Sequence, residues 1–282
     1  MLVKTVNSLV SNVARQLTRA SGPAPWTAKF LTVTNKNVRP IVAALKDYAE
    51  NPELDDYRRY KLAERLSTAV YPHFKFSDFG TIWLDDKAFF RDYERFMDPG
   101  NWHSADRKFL LKELLKWTHN LPGDYAECGV YNGGSAIFMC QAAERFSKHV
   151  HLFDSFEGLS NPGDQDGKSW KKGELECSQE QVSKNLDAYP CFTCHKGWIP
   201  ERFVDVADNL FSFVHVDVDL YEPTRDTLEF FYSRLVTGGI ILLDDHGSVK
   251  CPGARKAALD FFADKAEEVA DVPSGQGLVV KR

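Results

Sequence analysis

The chain has 282 residues, enough for one large domain or two small ones. Its hydrophobic content of 43% is ordinary for a globular protein, and its net charge of −5 argues against general nucleic-acid binding. No apolar run is long enough to span a membrane, and the first residues lack the apolar core and cleavage site of a signal peptide. We therefore expect a cytoplasmic protein without a nucleic-acid partner.

The first segment predicts an amphipathic helix over residues 2–20, because apolar residues recur there at steps of three and four. The segment is basic, and the chain has no acidic residue before Asp47. Such a helix could pack on its own domain or on a second subunit of a homo-oligomer, or it could lie on a membrane surface. We favour packing, because the apolar stripe lacks the bulky aromatic side chains that anchor interfacial helices.

The chain up to residue 118 predicts further helices, with an aromatic-rich, irregular segment at residues 71–84. The predicted helices span residues 38–51, 54–69, 85–97 and 104–118. Asp85 and Ser104 are the expected N-caps of the last two. The last helix has a stripe of four leucines: Leu110, Leu111, Leu114 and Leu115. We expect residues 1–104 to form a helical extension and residues 105–282 to form a separate domain.

From residue 125 onward, strands alternate with helices, which indicates an α/β fold with a parallel sheet and crossover helices. Predicted strands lie at 125–130, 150–154, 192–195, 211–216 and 240–243, predicted helices at 135–146, 178–186, 223–235 and 255–266, and possible closing strands at 268–270 and 277–280. A polar loop at 158–173 follows the second strand.

Cysteine usage favours a reducing compartment, because the six cysteines are scattered rather than arranged as a disulfide framework. Cys191-Phe-Thr-Cys194-His195 has the spacing of a c-type haem attachment site. The surrounding residues alternate as in a strand, which would put Cys191 and Cys194 on opposite faces. We interpret both as buried strand cysteines rather than as a haem or redox site.

Two acidic clusters follow predicted strands. Asp217 and Asp219 follow the fourth strand, and Asp244 and Asp245 follow the fifth. Ligands of open α/β sheets bind beyond the carboxyl ends of the strands. Carboxylates that converge there without matching Lys or Arg residues repel one another. They therefore suggest a divalent cation that prefers oxygen ligands.

A glycine-rich turn, Glu127-Cys-Gly129-Val-Tyr-Asn-Gly133-Gly134, connects the first strand to its helix. Glycines allow close approach of the backbone to a ligand, and the helix N-terminus offers free N–H groups. A dinucleotide site would show G-x-G-x-x-G here, whereas this turn has an acid ahead of more widely spaced glycines. Asp154 ends the second strand, where a carboxylate can accept hydrogen bonds from ribose hydroxyls. The pattern favours S-adenosylmethionine over NAD, and an ordinary tight turn is the alternative.

Several motifs occur in a characteristic order: Gly129-Val-Tyr-Asn-Gly-Gly134, Asp154-Ser-Phe-Glu-Gly-Leu159, Gly197-Trp198, Asp217-Val-Asp-Leu-Tyr-Glu-Pro-Thr224, Gly238-Gly239, Asp244-Asp-His-Gly247 and Cys251-Pro-Gly-Ala-Arg-Lys256. Together, over residues 105–282, they resemble the macrocin O-methyltransferase family, the metal-dependent sugar methyltransferases of macrolide and aminocoumarin biosynthesis. The resemblance implies a Rossmann-like class I S-adenosylmethionine-dependent methyltransferase fold, here with a helical N-terminal extension. It also implies a bound Mg²⁺ and methylation of a sugar hydroxyl.

The resemblance also implies roles for individual residues. It assigns the metal ligands to Asp217, Asp244 and Asp245, and the cofactor ribose to Asp154. The remaining implied cofactor residues lie in the glycine-rich turn or beside the adenine: Glu127, Gly129, Tyr131, Ser135, Ser155, Phe156 and Trp198. The loop at residues 158–173 matches a mobile segment that covers cofactor and acceptor.

The family often has tyrosine where this chain has His246. A histidine beside the metal could act as a general base or bond a neighbouring backbone group. We take Asp217 and His246 as the candidate catalytic residues, and Asp219 could also face the site.

The expected acceptor is a sugar of a small glycosylated metabolite or of a polysaccharide, with residues 1–104 shaping its pocket and the oligomer contacts. A catechol-type small-molecule O-methyltransferase would use the same metal chemistry. An NAD-dependent sugar-modifying enzyme is disfavoured by the missing G-x-G-x-x-G and the additional aspartates. A non-catalytic module that binds S-adenosylmethionine is disfavoured by the complete set of expected metal ligands.

Overall fold

A computed structural model describes residues 38–51, 55–71, 82–97 and 104–282. The predicted helix over residues 2–20 lies outside the described residues. The chain divides into two compact units, residues 1–85 and residues 86–282. In its described parts, the first unit has three helices: α1 (Val38–Glu50), α2 (Asp56–Val70) and α3 (Ile82–Asp85). An ion pair of 2.8 Å between Arg65 and Asp47 joins α1 and α2.

The second unit begins with the helices α4 (Lys87–Phe96) and α5 (Ala105–Thr118). The N-cap of α4 is Asp86 rather than the predicted Asp85, because the Asp86 carboxylate accepts a hydrogen bond from Phe89 N at 2.9 Å. Phe89 packs edge-on against Phe109, with ring centroids 5.1 Å apart, and this contact fastens α4 to α5. The structure therefore places α4 with the second unit, ahead of the domain boundary expected at residue 104.

The remaining elements form the predicted α/β pattern. The strands are β1 (Asp124–Cys128), β2 (Val150–Asp154), β3 (Phe192–Lys196), β4 (Phe211–Val216), β5 (Leu235–Leu243), β6 (Ala270–Asp271) and β7 (Gly277–Val280). The helices are α6 (Ala136–Phe146), α7 (Gln179–Asn185), α8 (Tyr221–Tyr232) and α9 (Pro252–Phe262), with a 3₁₀ helix at Phe203–Val206. The sheet order is β3-β2-β1-β4-β5-β7-β6, in which β1 to β5 pair in parallel and β7 runs antiparallel to both neighbours.

Several predicted helix boundaries differ from the structure by one to four residues, and two of the differences have a clear physical reason. Residue 235 belongs to β5 and not to the preceding helix, because its backbone pairs with Phe211 of β4 across an irregularity in register. Helix α9 begins at Pro252, three residues before the predicted start at residue 255. Proline suits the first helical position, because its φ angle is fixed near the helical value and the N–H that it lacks would have no partner there. The prediction that Cys191 and Cys194 are buried strand cysteines is wrong in part: both are free and only partly buried, and Cys191 lies just before β3.

Aromatic side chains build the core on the sheet face below α8. All six residues of β4 are buried, as expected for a central parallel strand covered on both faces. Phe231 of α8 packs edge-on against Phe211 and Phe203, with ring centroids 4.9 and 5.0 Å apart. Phe153 of β2 joins the same cluster, so the core extends to the carboxyl ends of the strands. In the described parts of the chain, no helix combines the length and apolar composition needed to cross a bilayer.

Candidate active site at the carboxyl edge of the sheet

A cavity of about 280 Å³ opens above the carboxyl ends of β1, β2, β4 and β5. Nine predicted site residues line it: Gly129, Tyr131, Ser135, Asp154, Ser155, Trp198, Asp217, Asp244 and Asp245. Three others, Glu127, Phe156 and His246, do not belong to its wall. The fold therefore brings the glycine-rich turn and both acidic clusters to one place, as the strand order predicts.

Asp154 connects two loops at one side of the cavity. One of its carboxylate oxygens accepts from Val130 N at 2.7 Å and Tyr131 N at 3.2 Å, and the other accepts from Phe156 N at 2.7 Å. Burial raises the pKa of Asp154, and these three N–H groups oppose the rise by favouring the carboxylate. Phe156 thus contributes to the site through its backbone, while its own side chain is buried.

Gly129 allows the end of β1 to touch the end of β4. Its φ angle is +82°, and a Cβ atom at this position would lie 1.9 Å from the carbonyl oxygen of Asp217. Any other residue would clash with that backbone and strain its own. The glycine therefore sets the short distance between the turn and the first acidic cluster.

Apolar side chains cover the wall beside Asp154. Gly197 N donates to Asp154 O at 3.0 Å, which places the following Trp198 next to the end of β2. Trp198, Leu175 and Ile199 line the cavity. An apolar wall beside a carboxylate suits an adenosine group, since the wall can contact the base and the carboxylate can accept from ribose hydroxyls. These residues fit S-adenosylmethionine.

The carboxylates at this edge of the sheet form two adjoining groups. Ligand atoms of His215, Asp217 and Asp244 lie within 4.8 Å of one another, and so do those of Asp219, Asp245 and Cys251. Asp219 N donates to the carboxylate of Asp245 at 3.0 Å within the second group. The three expected metal ligands are therefore divided between the groups.

Two basic side chains from the first turn of α5 accompany these carboxylates. Arg107 donates to the carboxylate of Asp244, donates to its carbonyl oxygen at 2.7 Å, and lies 3.7 Å from a carboxylate oxygen of Asp245. Lys108 is 2% exposed, and its Nζ lies 2.5 Å from Ser135 Oγ and 3.7 Å from a carboxylate oxygen of Asp217. The expectation that no basic residue matches the carboxylates is wrong.

A buried histidine that sequence reasoning missed lies beneath the cavity. His215 is 0% exposed, and its nitrogens lie 2.9 Å from Glu127 Oε1 and 3.3 Å from Asp244 Oδ1. Although burial disfavours the imidazolium, the hydrogen bonds to Asp244 and Glu127 raise the pKa of His215 to about 9. Glu127, predicted to bind cofactor, lies below the cavity wall, where Oε1 pairs with His215 and Oε2 has no hydrogen-bond partner among the described residues. Gln276 donates to Asp244 Oδ1 at 2.5 Å and adds a further hydrogen bond.

Neighbouring groups shift the pKa values of these carboxylates in opposite directions. Burial acts against ionisation of Asp244, but Lys108, Arg107 and His215 hold its pKa well below the ordinary value. Burial and neighbouring carboxylates raise the pKa values of Asp217 and Asp245 instead. A divalent cation with oxygen ligands relieves such repulsion, so the donor set fits Mg²⁺, with Arg107 sharing two of its ligands.

His246 lies apart from this chemistry. Its side chain is 2% exposed, its Nε2 lies 3.4 Å from a carboxylate oxygen of Asp271, and it packs against Gly277. Burial and the nearby Arg255 lower the pKa of His246. The structure does not bring His246 into the cavity wall, whereas it does bring Asp219 there.

The order β3-β2-β1-β4-β5, closed by the antiparallel β7, with a cavity over the strand ends, is the Rossmann-like class I methyltransferase fold. Solved structures with this fold include the O-methyltransferase NovP, with a TM-score of 0.55, 25% identity and coverage of 65% of this chain and 84% of that chain. The calicheamicin methyltransferase CalS11 matches with a TM-score of 0.57 and 18% identity, over 72% of this chain and 93% of that chain.

The family profile described as Macrocin-O-methyltransferase (TylF) matches residues 111–271, and the chain belongs to this family. One relative is the demethyldecarbamoylnovobiocin O-methyltransferase of Streptomyces niveus, 29% identical over 55% of this chain and 64% of that protein. Another is an 8-demethyl-8-(2,3-dimethoxy-alpha-L-rhamnosyl)-tetracenomycin-C 4'-O-methyltransferase of Streptomyces olivaceus, 32% identical over 48% of this chain and 57% of that protein. The matches thus span less than two thirds of these two relatives.

Proposed function

We propose that the protein is an S-adenosylmethionine- and Mg²⁺-dependent O-methyltransferase that acts on a sugar hydroxyl. The observation that carries the proposal is that one cavity is lined both by Asp154, which connects two loops, and by the carboxylates of the two acidic clusters. Family membership supports methyl transfer, and the name of the Streptomyces olivaceus relative includes a rhamnosyl group. A sugar carried by a small metabolite or a glycan is the proposed acceptor.

The cofactor side and the metal side of the cavity have separate tasks. When bound, S-adenosylmethionine supplies an electrophilic methyl group, and Mg²⁺ lowers the pKa of a hydroxyl in contact with it. Asp154 would hold the ribose hydroxyls, and Trp198 would cover the adenine. Asp217, Asp244 and Asp245 would hold Mg²⁺.

Asp219 is the proposed proton acceptor. It lines the cavity, and the Cys251 thiol donates to its carboxylate at 3.3 Å. Burial and the neighbouring Asp217 raise the pKa of Asp219 to about 7. A carboxylate with a pKa near neutrality can remove the hydroxyl proton in the transition state and release it afterwards. This assignment takes the role expected of His246, which lies outside the cavity.

The basic residues keep the carboxylates in place before substrates arrive. Arg107 and Lys108 hold Asp244 and Asp217 from the α5 side, and His215 holds Asp244 from below. Their positive charges allow several carboxylates to remain close together in a buried site. Alignment of two substrates in such a site supplies much of the acceleration in bimolecular reactions.

The decisive experiment measures methyl transfer from S-adenosylmethionine to sugar-bearing acceptors, with catechols tested in parallel. Asp217→Asn should abolish turnover yet nearly preserve cofactor binding in calorimetry, because Asp154 lies on another strand. Asp208→Asn, at an exposed position outside the cavity, is the matched control and should leave both unchanged.

Three results would contradict parts of the proposal. Full activity in excess EDTA after exhaustive metal removal would overturn the metal assignment. Turnover of catechols without turnover of any sugar would overturn the acceptor class. Binding of NAD in place of S-adenosylmethionine would overturn the reaction.

A further inference from the structure

One carboxylate in the polar loop at residues 158–173 is buried, although most of the loop is exposed. Asp166 is 2% exposed. One of its oxygens accepts from Tyr221 N, the first residue of α8, at 2.7 Å, and the other accepts from Gly163 N at 2.7 Å. Paired backbone bonds between Leu159 and the segment Gly173-Glu174 close the base of the loop. Asp166 therefore fastens the far end of the loop to a different part of the fold.

The helices α8 and α9 leave a slot for this carboxylate. A Cβ atom at Gly253, in the first turn of α9, would lie 1.9 Å from Asp166 Oδ1 and 3.0 Å from Tyr221 N. Glycine is thus the residue that lets the carboxylate reach the start of α8. Negative charge is favoured at such a position, because helix N-termini carry partial positive charge.

A second contact leads from the loop to the proposed proton acceptor. Trp170 Nε1 donates to Cys251 Sγ at 3.3 Å, and Cys251 Sγ lies 3.3 Å from Asp219 Oδ1. Trp170 and Asp219 both line the cavity. The Cys251 thiol therefore contacts the loop on one side and a carboxylate of the cavity wall, that of Asp219, on the other.

We propose that Asp166 is a positioning residue that holds the loop over the cavity, so that Trp170 completes the wall and Cys251 orients Asp219. That Asp166 holds the loop follows from its contacts alone. Only the effect on turnover rests on the proposed function. Asparagine at this position keeps the size of the side chain but has one acceptor oxygen. It therefore leaves Tyr221 N or Gly163 N without its present partner.

Limited proteolysis measures how often the loop opens, independently of activity. The loop region carries three exposed trypsin sites, at Lys168, Lys171 and Lys172. Asp166→Asn should speed cleavage at these sites about tenfold or more, because proteolysis follows the population of the open form. Asp164→Asn, exposed in the same loop, is the matched control and should be cleaved at the wild-type rate.

Gly253→Ala provides a second route to the same result. It keeps the aspartate at position 166 but fills the slot that its carboxylate occupies, so the carboxylate must move away from α8 and cleavage should again accelerate. Near-native circular dichroism and thermal midpoints would show that each variant folds. Wild-type cleavage rates in both folded variants would overturn the proposal, whether or not a methyl acceptor has been found.

Turnover separates the two contacts. Asp166→Asn should raise KM for S-adenosylmethionine and weaken binding of S-adenosylhomocysteine in calorimetry. Cys251→Ala should lower kcat with a smaller effect on cleavage than Asp166→Asn, because it removes the contacts to Asp219 and Trp170 but keeps that of Asp166 to α8. Unchanged kcat in the folded Cys251→Ala variant would refute the link between loop and carboxylate.

Discussion

Replacement of His215 by glutamine is expected to lower the free energy of unfolding by about 3–5 kcal/mol, as for other buried ion pairs that lose one partner. The histidine is fully buried, and its two nitrogens bond Glu127 at 2.9 Å and Asp244 at 3.3 Å. Each hydrogen bond to a charged group contributes about 1.5–3 kcal/mol. Glutamine can donate from one end only and carries no charge, so it leaves a buried carboxylate without its partner.

Urea unfolding monitored by circular dichroism measures this loss. His149→Gln is the control, because His149 is only partly buried and its side chain bonds a single hydroxyl, that of Thr193. The control should lose less than about 1 kcal/mol. A double-mutant cycle of His215→Gln with Glu127→Gln should show a coupling of about 1–3 kcal/mol. A loss below 1 kcal/mol for His215→Gln, or additive effects in the cycle, would refute the buried network as a source of stability.

Three further predictions use other parts of the structure. Asp154→Ala should weaken S-adenosylmethionine binding by about 1–3 kcal/mol, and unchanged affinity of the folded variant in calorimetry would reject the ribose assignment. Arg107→Gln removes the cation that shares Asp244 and Asp245, so Mg²⁺ should bind about tenfold more tightly; weaker binding would show that Arg107 supports the metal site. Burial lowers the pKa of His195 below its ordinary value of 6.5, so the unfolded chain takes up that proton first, and the unfolding midpoint should fall as pH decreases from 6.5 through the lowered pKa. His195→Gln should flatten this dependence, and an identical pH profile in the variant would contradict it.

The elements that carry the site were predictable because buried parallel strands have a simple pattern. Strands β2 and β4 have the predicted bounds, since each is a short apolar run followed by an acidic residue. The strand order then brings Asp154 and Asp217 to one cavity. The cap of α4 was displaced by one residue because Asp85 and Asp86 are both suitable caps, and local sequence does not distinguish them.

The pattern of strands did not predict that basic residues belong to the site. Arg107 bonds Asp244 across 137 residues of chain, a contact that depends on how α5 packs against β4 and β5. A signal was present for Lys108, which precedes Leu111 and Leu115 by three and seven residues and so lies on the buried stripe of α5. His215 had a comparable signal, because it precedes Asp217 by two residues and should share its face of β4.

Asp244 draws its hydrogen-bond donors from widely separated parts of the chain, with consequences for synthesis on the ribosome. Arg107 precedes it by 137 residues and His215 by 29, while Gln276 follows it by 32. A nascent chain can pair the central strands early, because folding proceeds from the N-terminal side as the chain emerges. Until Gln276 has been translated, however, this buried carboxylate lacks one donor, and such a deficit is costly in a buried environment. Docking of the β6–β7 hairpin therefore supplies the last donor to Asp244. A chain stalled before Gln276 would lack this hydrogen bond.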